Sequence, residues 1–255
     1  AEKLRKETEQ LGALTLPRYF ELKFRGHDLA IRFVTTAIIV FCFIFYIAAQ
    51  FDAAGKSLEQ TFGFPHFTGI LLGASIMVFY TLMGGFFAVA WTDFFQGIIM
   101  LVTLVVLPLV ALAQIGGIGG LVDKVSSLDP EYLTLFGGRR GWPLISGVLS
   151  GLGIGLGYLG QPHVLIRYMS IRSVSDVGKA KSVAIVYAIL TYGGAVLMGI
   201  VALAYFGVGH FADPEKMMPG LATAIFPAWF AGILICGALA AMMSTADSQL
   251  LVTAS

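Results

Sequence analysis

The chain has 255 residues, of which 57% are hydrophobic and 12% are charged, and its formal net charge is +1. A soluble domain has about 25% charged residues, so this composition excludes an ordinary soluble protein and indicates a multi-pass protein embedded in a lipid bilayer. The near-neutral charge argues against a nucleic-acid partner, because surfaces that bind nucleic acids are strongly basic.

Residues 1–28 are predicted to form a cytoplasmic loop that contains an interfacial helix. Residues 14–24, LTLPRYFELKF, alternate apolar and charged side chains after a proline, a pattern typical of a helix lying along a membrane surface. The chain begins in a charged segment without Met and ends just after a polar stretch. We therefore expect one transmembrane domain over residues 1–255, and we expect it to be incomplete.

Six stretches between residues 29 and 250 are long and apolar enough to cross a bilayer, which requires about 20 largely apolar residues. They lie near 29–52, 68–90, 93–115, 141–162, 182–208 and 226–250. Residues 63–65, Gly-Phe-Pro, should end the first helix, and a very short turn around 90–92 should join the second helix to the third. The sequence thus predicts an all-α polytopic membrane protein with six transmembrane helices.

The basic residues indicate the orientation of these helices. Six spans leave both ends of the chain on one side, where residues 1–32 and 163–181 carry eleven Lys and Arg residues, whereas the opposite side carries five. Cytoplasmic loops are enriched in Lys and Arg, so both ends are predicted to face the cytoplasm of a cell membrane. In this topology Arg167 would anchor the chain among lipid headgroups, and Lys56 would pair with Glu59 at the outer surface.

Residues 80–97, YTLMGGFFAVAWTDFFQG, contain the pair Gly84 and Gly85, which can end or kink a helix and allows close approach of another backbone. Thr92 or Asp93 could cap the helix that follows. Alternatively, an acid at the cytoplasmic end of a span could guide cations. The spacing of the residues favours neither interpretation.

Residues 146–168, SGVLSGLGIGLGYLGQPHVLIRY, hold six glycines within fourteen positions. Small residues four apart, such as Gly147 and Gly151, favour close packing of membrane helices. Each glycine also weakens a helix by about 1 kcal/mol, so the alternative is a discontinuous helix whose free backbone groups line a cavity. Tyr158 and Gln161 are the long polar side chains of this glycine-rich part.

Residues 237–255, GALAAMMSTADSQLLVTAS, form an apolar run that polar residues interrupt. On a helix, Ser244, Thr245, Asp247 and Ser248 share an arc of roughly 160°, which leaves the opposite face free to contact lipid. Ser and Thr often bond back to carbonyls of their own helix, and this is the simpler explanation for the hydroxyls. An Asp at a helix centre costs roughly 2.5–3.5 kcal/mol on insertion scales, and its presence favours a role in binding an ion or a proton.

Four segments together resemble the sodium:solute symporter family, in its proline-permease branch. They are ALTLPRYFELKFR, YTLMGGFFAVAWTDFFQG, GLGYLGQPHVLIRYMS and AGILICGALAAMMSTADSQLL. Their order and separation match over nearly the whole chain. The resemblance implies a LeuT-type fold of two inverted repeats, of which this chain would supply core helices three to eight. It also implies a transporter that couples a small solute to sodium, with neither enzymatic activity nor an organic cofactor.

The same resemblance implies which residues bind ions. The family's main sodium site uses a carbonyl and two hydroxyls of the eighth core helix, which correspond to Ala241, Ser244 and Thr245. Carbonyls of the first core helix complete that site, and this chain would not contain them. The residues of a second cation site, found in some members, would be Asp93, Asp247 and Ser248. Members often carry a hydroxyl at the position of Asp247, so the acid leaves open whether this residue binds sodium, shuttles a proton or only hydrogen-bonds.

In the family, the sixth core helix lines the substrate site, which implicates Ile154, Gly157, Tyr158 and Gln161. Sugar carriers tend to have a polar amide at the position of Ile154, and residues 182–206 contain no charged residue. Both features favour a small, partly apolar solute such as proline or a related amino acid, with Tyr158 packed on its ring. The alternatives are a symporter for another small carboxylate solute and a transporter-like sensor domain of a signalling protein.

Overall fold

A computed structural model describes residues 1–24, 28–134, 136–158 and 160–254. The helices are α1 Glu2–Leu11, α2 Leu16–Lys23, α3 Asp28–Phe62, α4 His66–Gln114, α5 Gly117–Leu128, α6 Trp142–Tyr158, α7 Pro162–Met169, α8 Val174–Phe206, α9 Met217–Ile225 and α10 Ala228–Ala254. Two short 3-10 turns cover Pro130–Leu133 and Pro214–Lys216. These residues contain no β-strand, and the predicted all-α class is confirmed.

Within the described part of the chain, five helical stretches are long and apolar enough to cross a membrane: α3, α4, α6 taken together with α7, α8 and α10. The 49 residues of α4 would extend about 74 Å if the helix were straight, more than twice the thickness of a hydrocarbon core of about 30 Å. The helix is interrupted at Gly85, where φ is 54° and ψ is −147°. A residue with a side chain rarely adopts this conformation, so a glycine is required here.

Beyond Gly85, the second half of α4 runs antiparallel to α10. Its beginning lies beside the end of α10, where Asp93 contacts Ser248. Ten residues later it has reached the beginning of α10, where the Thr103 hydroxyl donates to the carbonyl of Leu234 at 3.0 Å. The two contacts fix the direction of this half.

Before Gly85, the first half of α4 runs in the opposite direction. It starts where His66 lies 2.9 Å from Asp52 of α3, at the end of the molecule where α3 packs against α9 and the preceding 3-10 turn. It then reaches the far end of α10 at Tyr80, which contacts Asp247. The two halves of α4 therefore form a hairpin and provide two crossings, which brings the total to the six that were predicted.

The turn between these crossings lies at Gly85 and not at residues 90–92. Residues 86–114 form one helix, because the reversal needs only the one residue with a non-helical backbone. Thr92 accordingly lies inside the helix and donates to the carbonyl of Ala88 at 2.9 Å, so the interpretation of Thr92 or Asp93 as a helix cap is wrong. The end of the first span at residue 62, before Gly-Phe-Pro, is confirmed.

The central helix of the molecule is α10, which packs against α3, both halves of α4 and α9. The largest buried apolar cluster lies where α4, α8, α9 and α10 meet, and its fully buried members include Leu107, Ala111, Val201, Leu221 and Leu234. This packing keeps much of α10 away from lipid, so the cost of its polar residues is not that of an isolated helix in hydrocarbon.

The N-terminal helices lie at the same end of the molecule as the connection between α7 and α8. The Arg5 side chain donates to the carbonyl of Ile171 at 2.6 Å. Ala13, Leu16 and Tyr19 form an apolar cluster with Met169. The helix predicted within residues 14–24 is present as α2, and the predicted loop over residues 1–28 continues into residues 25–27, which lie outside the described residues.

A second group of charges lies at the opposite end. Three carboxylates contact the Lys56 amino group there: Asp52 at 3.1 Å, Asp213 at 3.2 Å and Glu215 at 2.8 Å. Glu59 contacts Lys216 at 3.1 Å, so the predicted pair of Lys56 and Glu59 is wrong. A hydrogen bond from the Glu215 backbone N–H, together with Lys56, lowers the pKa of Asp213 below its ordinary value. These contacts tie α3 to the segment that precedes α9.

The predicted fourth span, 141–162, is not one continuous helix. It consists of α6, which ends at Tyr158, and α7, which begins at Pro162; residue 159 lies outside the described residues. A Cβ atom added to Gly151 would meet nothing within 4 Å, and no residue of α6 is buried. Among the described residues, the glycines of α6 therefore do not pack closely against another helix, and the helix is discontinuous as the alternative interpretation expected. That its backbone groups line a cavity stays a prediction.

Candidate functional site

Asp247 is buried where α10 meets the two halves of α4, with 0% of its surface exposed. The Tyr80 hydroxyl donates to Asp247 Oδ2 at 2.6 Å. Burying a carboxylate is unfavourable unless hydrogen bonds or an opposite charge compensate it. Tyr80 therefore offsets part of the cost of Asp247.

The neighbouring Ser248 connects this carboxylate to a second one. Its hydroxyl oxygen lies 3.4 Å from Asp247 Oδ1 and 3.3 Å from Asp93 Oδ2. A hydroxyl has a single hydrogen, so Ser248 donates to one of these carboxylates at a time. The three residues predicted for a second cation site, which come from distant parts of the sequence, are thus brought together.

Arg167 of α7 completes the cluster. Its Nη2 lies 2.5 Å from Asp93 Oδ2 and 2.6 Å from Ser248 Oγ, while 52% of its side-chain surface is exposed. The interpretation of Arg167 as a headgroup anchor missed this contact. A signal for it was available, because two acids predicted at the same end of neighbouring spans require a nearby positive charge.

The residues predicted for the main sodium site lie on the α10 turn that precedes Asp247. The hydroxyls of Ser244 and Thr245 both donate to the Ala241 carbonyl, at 3.2 and 2.9 Å. Three uncharged oxygens therefore meet within one turn. The back-bonding expected for hydroxyls in a membrane helix is present, and it is the same arrangement that brings these oxygens together.

Ala241 and Thr245 face a cavity of about 460 Å³ that is bounded by α3, α4, α8, α9 and α10. Most of its lining residues are apolar, and the polar ones include Gln50, Thr103 and Glu215. This volume and lining are typical of a site for a small organic molecule. Ala241 and Thr245 thus lie at the wall of this cavity.

The residues predicted to bind the substrate lie apart from this cavity. Ile154, Gly157 and Tyr158 are at the end of α6, where Ile154 is 74% and Tyr158 is 47% exposed. Gln161 immediately precedes α7. Among the described residues that line the cavity, none of these four is included. Their role in binding a substrate stays a prediction.

Several amide and carboxylate atoms around the cluster are buried without a hydrogen bond from any described residue. Both polar atoms of Gln249, which is 0% exposed, are in this position, and so are Asp93 Oδ1 and Gln96 Oε1. An unsatisfied buried polar group costs about 1–3 kcal/mol, so water or a ligand is expected here. Sequence reasoning missed Tyr80, Gln96 and Gln249, although an amide within an apolar run is itself a signal.

Comparison with known proteins identifies the family of the chain. The model of the sodium:solute symporter family matches residues 1–255. This chain belongs to the sodium:solute symporter family. The symporters of this family are transporters, and their coupling ion is sodium, as the resemblance implied.

Individual relatives of the chain agree with the match. It is 37% identical over 258 residues to the high-affinity proline transporter PutP of Bacillus subtilis, covering 100% of this chain and 54% of that protein. It is 38% identical to sodium/proline symporter 2 of Staphylococcus saprophyticus and to the sodium/proline symporter of Staphylococcus aureus, covering 50% and 49% of those proteins. The chain spans about half the length of the curated relatives it matches.

Proposed function

We propose that the full-length protein couples sodium entry to the uptake of proline or a closely related amino acid. The observation that carries this proposal is the family match over residues 1–255, together with relatives named as sodium/proline symporters at 38% identity. Transport of this kind forms and breaks no covalent bond. The protein therefore acts as a carrier and not as an enzyme, and it needs no organic cofactor.

We infer that sodium, the co-transported ion, binds to the oxygens of Ala241, Ser244 and Thr245. These oxygens converge within one turn of α10, and two of the residues face the cavity. Hard cations prefer oxygen ligands. Three ligands do not fill the coordination shell of sodium, so the remaining ligands would come from outside these three residues, as the family resemblance implies.

Asp93, Asp247 and Ser248 are proposed as a second cation site. Their support is the approach of two carboxylates to one hydroxyl, with a buried carboxylate oxygen that has no described partner. The fully buried Asp247 would be offset electrostatically by a cation there. The Tyr80 hydroxyl would keep the carboxylate of Asp247 oriented toward that cation.

Ile154, Gly157, Tyr158 and Gln161 are proposed as substrate contacts. Ile154 is apolar, Tyr158 offers a ring that could pack on a pyrrolidine, and Gln161 has a buried amide oxygen without a described partner. The exposure of Ile154 and Tyr158 leaves room for a further part of the protein to close the site.

Coupling by alternating access follows from these positions. Sodium on α10 would favour an outward-open state in which the substrate contacts are ordered, and the substrate would then favour closure. Two ligands help each other only through a coupling free energy, typically about 1–3 kcal/mol, which is reciprocal. Sodium should therefore lower the half-saturating proline concentration, and proline should tighten sodium binding.

Both ends of the chain are proposed to lie in the cytoplasm. The basic residues of residues 1–24 and of the α7–α8 connection share one end of the molecule, as the Arg5–Ile171 contact illustrates. The test uses two variants with a single cysteine, Lys3→Cys and Lys216→Cys. Each is labelled from outside intact cells with a membrane-impermeant maleimide. Labelling at Lys216 alone supports this orientation, and labelling at Lys3 alone reverses it.

Radiolabelled proline uptake into proteoliposomes tests the function, with the full-length protein and with or without an inward sodium gradient. Thr245→Ala removes one proposed ligand and should raise the half-maximal sodium concentration roughly 10- to 150-fold, since a bond to a charged group is worth about 1.5–3 kcal/mol. Thr253→Ala is the matched control. The Thr253 hydroxyl bonds back to the Gln249 carbonyl at 3.0 Å on the same helix.

The outcomes separate the possible functions. Sodium-driven proline uptake that fails at low sodium in Thr245→Ala, but not in Thr253→Ala, supports symport through this ion site. Uptake of a different carboxylate solute retains the ion site but replaces the substrate. Proline binding without uptake would instead indicate a sensor, and uptake that ignores sodium would refute the coupling.

A further inference from the structure

The Arg167 guanidinium occupies the position that a cation would take in the proposed second site. Its Nη2 is within 2.6 Å of oxygens from both Asp93 and Ser248, which are two of the three proposed ligands. A sodium ion and this nitrogen cannot bind the same two oxygens together, because both would occupy the same volume. In this structure the guanidinium of Arg167 therefore fills the proposed second cation site.

The contact is weaker than an arginine–carboxylate pair can be. Such pairs are frequently bidentate, with two parallel N–H···O bonds. Here one guanidinium nitrogen contacts one oxygen of Asp93, and Asp93 Oδ1 is buried without a described hydrogen-bond partner. The hydroxyls of Tyr80 and Ser248 lie within hydrogen-bonding distance of the Asp247 carboxylate. Among the described residues Arg167 thus contacts only one of the two carboxylates, Asp93, which leaves the cluster able to attract a further positive charge.

The guanidinium of Arg167 has open space beside it into which it can move when it leaves Asp93. Just over half of its side-chain surface is exposed, so the guanidinium can turn away from Asp93 into space that the described residues leave open, without crossing the packed core. Its helix, α7, begins at Pro162, directly after Gln161 and the break from α6. Release of Arg167 would remove the polar contact that joins α7 to α4 and α10, next to the proposed substrate contacts, while the apolar packing of Ile166 would remain.

We propose that Arg167 is an internal counter-cation, which holds Asp93 and Ser248 until a monovalent cation displaces it and thereby breaks the polar contact of α7 with α4 and α10. Arg167 is a positioning residue in this scheme, because it sets when the site is open to sodium and does not itself bind the substrate. The proposal rests on the second cation site described above, although it does not depend on the ion site at Thr245.

Binding of radioactive sodium to the purified full-length protein tests the competition. Arg167→Gln should tighten the sodium-binding phase that depends on Asp93 at least tenfold, and Arg167→Lys should give an intermediate value. Adding Asp93→Asn to Arg167→Gln should remove that phase. Arg172→Gln is the matched control, since it removes an exposed positive charge from the α7–α8 connection at the same end of the molecule and should leave sodium binding unchanged.

The outcomes separate this proposal from the proposed function. Unchanged or weaker sodium binding in Arg167→Gln overturns the role of Arg167 while sodium-driven proline uptake remains intact. If the wild-type protein binds no sodium at all, the proposed function is refuted instead. A structural salt bridge alone predicts the first result, because breaking it would not improve access for sodium.

A measurement on the unmutated protein covers the case in which Arg167→Gln does not fold. Modification of arginines by phenylglyoxal is followed by mass spectrometry in sodium and in choline at equal ionic strength. Sodium should increase the modification of Arg167 at least threefold and leave that of Arg172 unchanged. Equal modification of Arg167 in both salts would overturn the proposal.

Discussion

Two polar regions of α10, one turn apart, satisfy their hydrogen bonds in different ways. In the first, the hydroxyls of Ser244 and Thr245 both donate to Ala241 of their own helix. In the second, Asp247 and Ser248 have partners on α4 and α7. The first region faces the cavity of about 460 Å³, whereas the second borders a smaller one of about 170 Å³, which Asp93, Arg167 and Ser248 help to line.

The difference indicates what each region can do. A hydroxyl that donates to a carbonyl of its own helix can turn toward an ion without any helix moving, because the donor and the acceptor belong to the same helix. The exchange of a bond that joins two helices removes part of what holds those helices together. The first region is therefore suited to binding, and the second is suited to converting occupancy by an ion into movement.

The largest effect is expected from Gly85→Ala. This change would disrupt the hairpin that brings Tyr80 and Asp93 to the same turn of α10, and with it the contacts that distinguish the second region from the first. The backbone at Gly85 lies in a region that is nearly exclusive to glycine, and strain there costs up to about 3 kcal/mol. Thermal unfolding of the full-length protein in detergent measures the loss. Gly73→Ala is the control, because its added Cβ would meet Ala54 at an ordinary 3.7 Å; equal stability of both variants would refute the requirement for glycine at position 85.

An intermediate effect is expected from Asp247→Ala in the second region. The Tyr80 hydroxyl would stay half-buried without its partner, at a cost of about 2 kcal/mol. Adding Tyr80→Phe removes the orphaned hydroxyl and should recover part of this stability, which a double-mutant cycle of thermal unfolding measures. Strictly additive losses would show that the two side chains do not act as a pair.

A smaller effect on stability is expected in the first region. Thr245→Ala without sodium should change the free energy of unfolding by less than about 0.5 kcal/mol, because no bond between helices is lost. The same variant should lose the stabilisation that added sodium gives the wild-type protein. Calorimetry with and without sodium chloride, against choline chloride, separates the two quantities. A large loss without sodium would mean that this region also holds helices together.

The smallest effect is expected from a polar contact that faces water. Hydrogen bonds from Lys23 and Tyr19 lower the pKa of Glu7 below 4.5. The carboxylate therefore favours the docked α1 fully at neutral pH, and this contribution is lost as the pH falls below about 4.5 through the lowered pKa. Hydrogen exchange of residues 2–11 at pH 6 and pH 3, corrected at each pH for the intrinsic exchange rate, should show lower protection at pH 3, and Glu7→Gln should reduce the difference.

The sequence was sufficient for the number of spans, because long apolar stretches and charge asymmetry report directly on a bilayer. It was also sufficient to bring Asp93, Asp247 and Ser248 into one hypothesis through a family resemblance. The turn at Gly85 was misplaced by a few residues, since helical periodicity continues on both sides of a single-residue break. Arg167 was missed because its position after a proline at a helix end is equally typical of a headgroup anchor.

The same turn has a consequence for how the protein is made. Gly85 lies within residues 57–123, where there is no Lys or Arg, so this stretch carries none of the charges that orient segments during insertion. The turn is also too short to be exposed as a separate loop. Both halves of α4 must therefore enter the bilayer together as one hairpin, and the neighbouring helices determine its orientation. Asp93 is then already synthesised when the segment that contains Tyr80 inserts into the membrane.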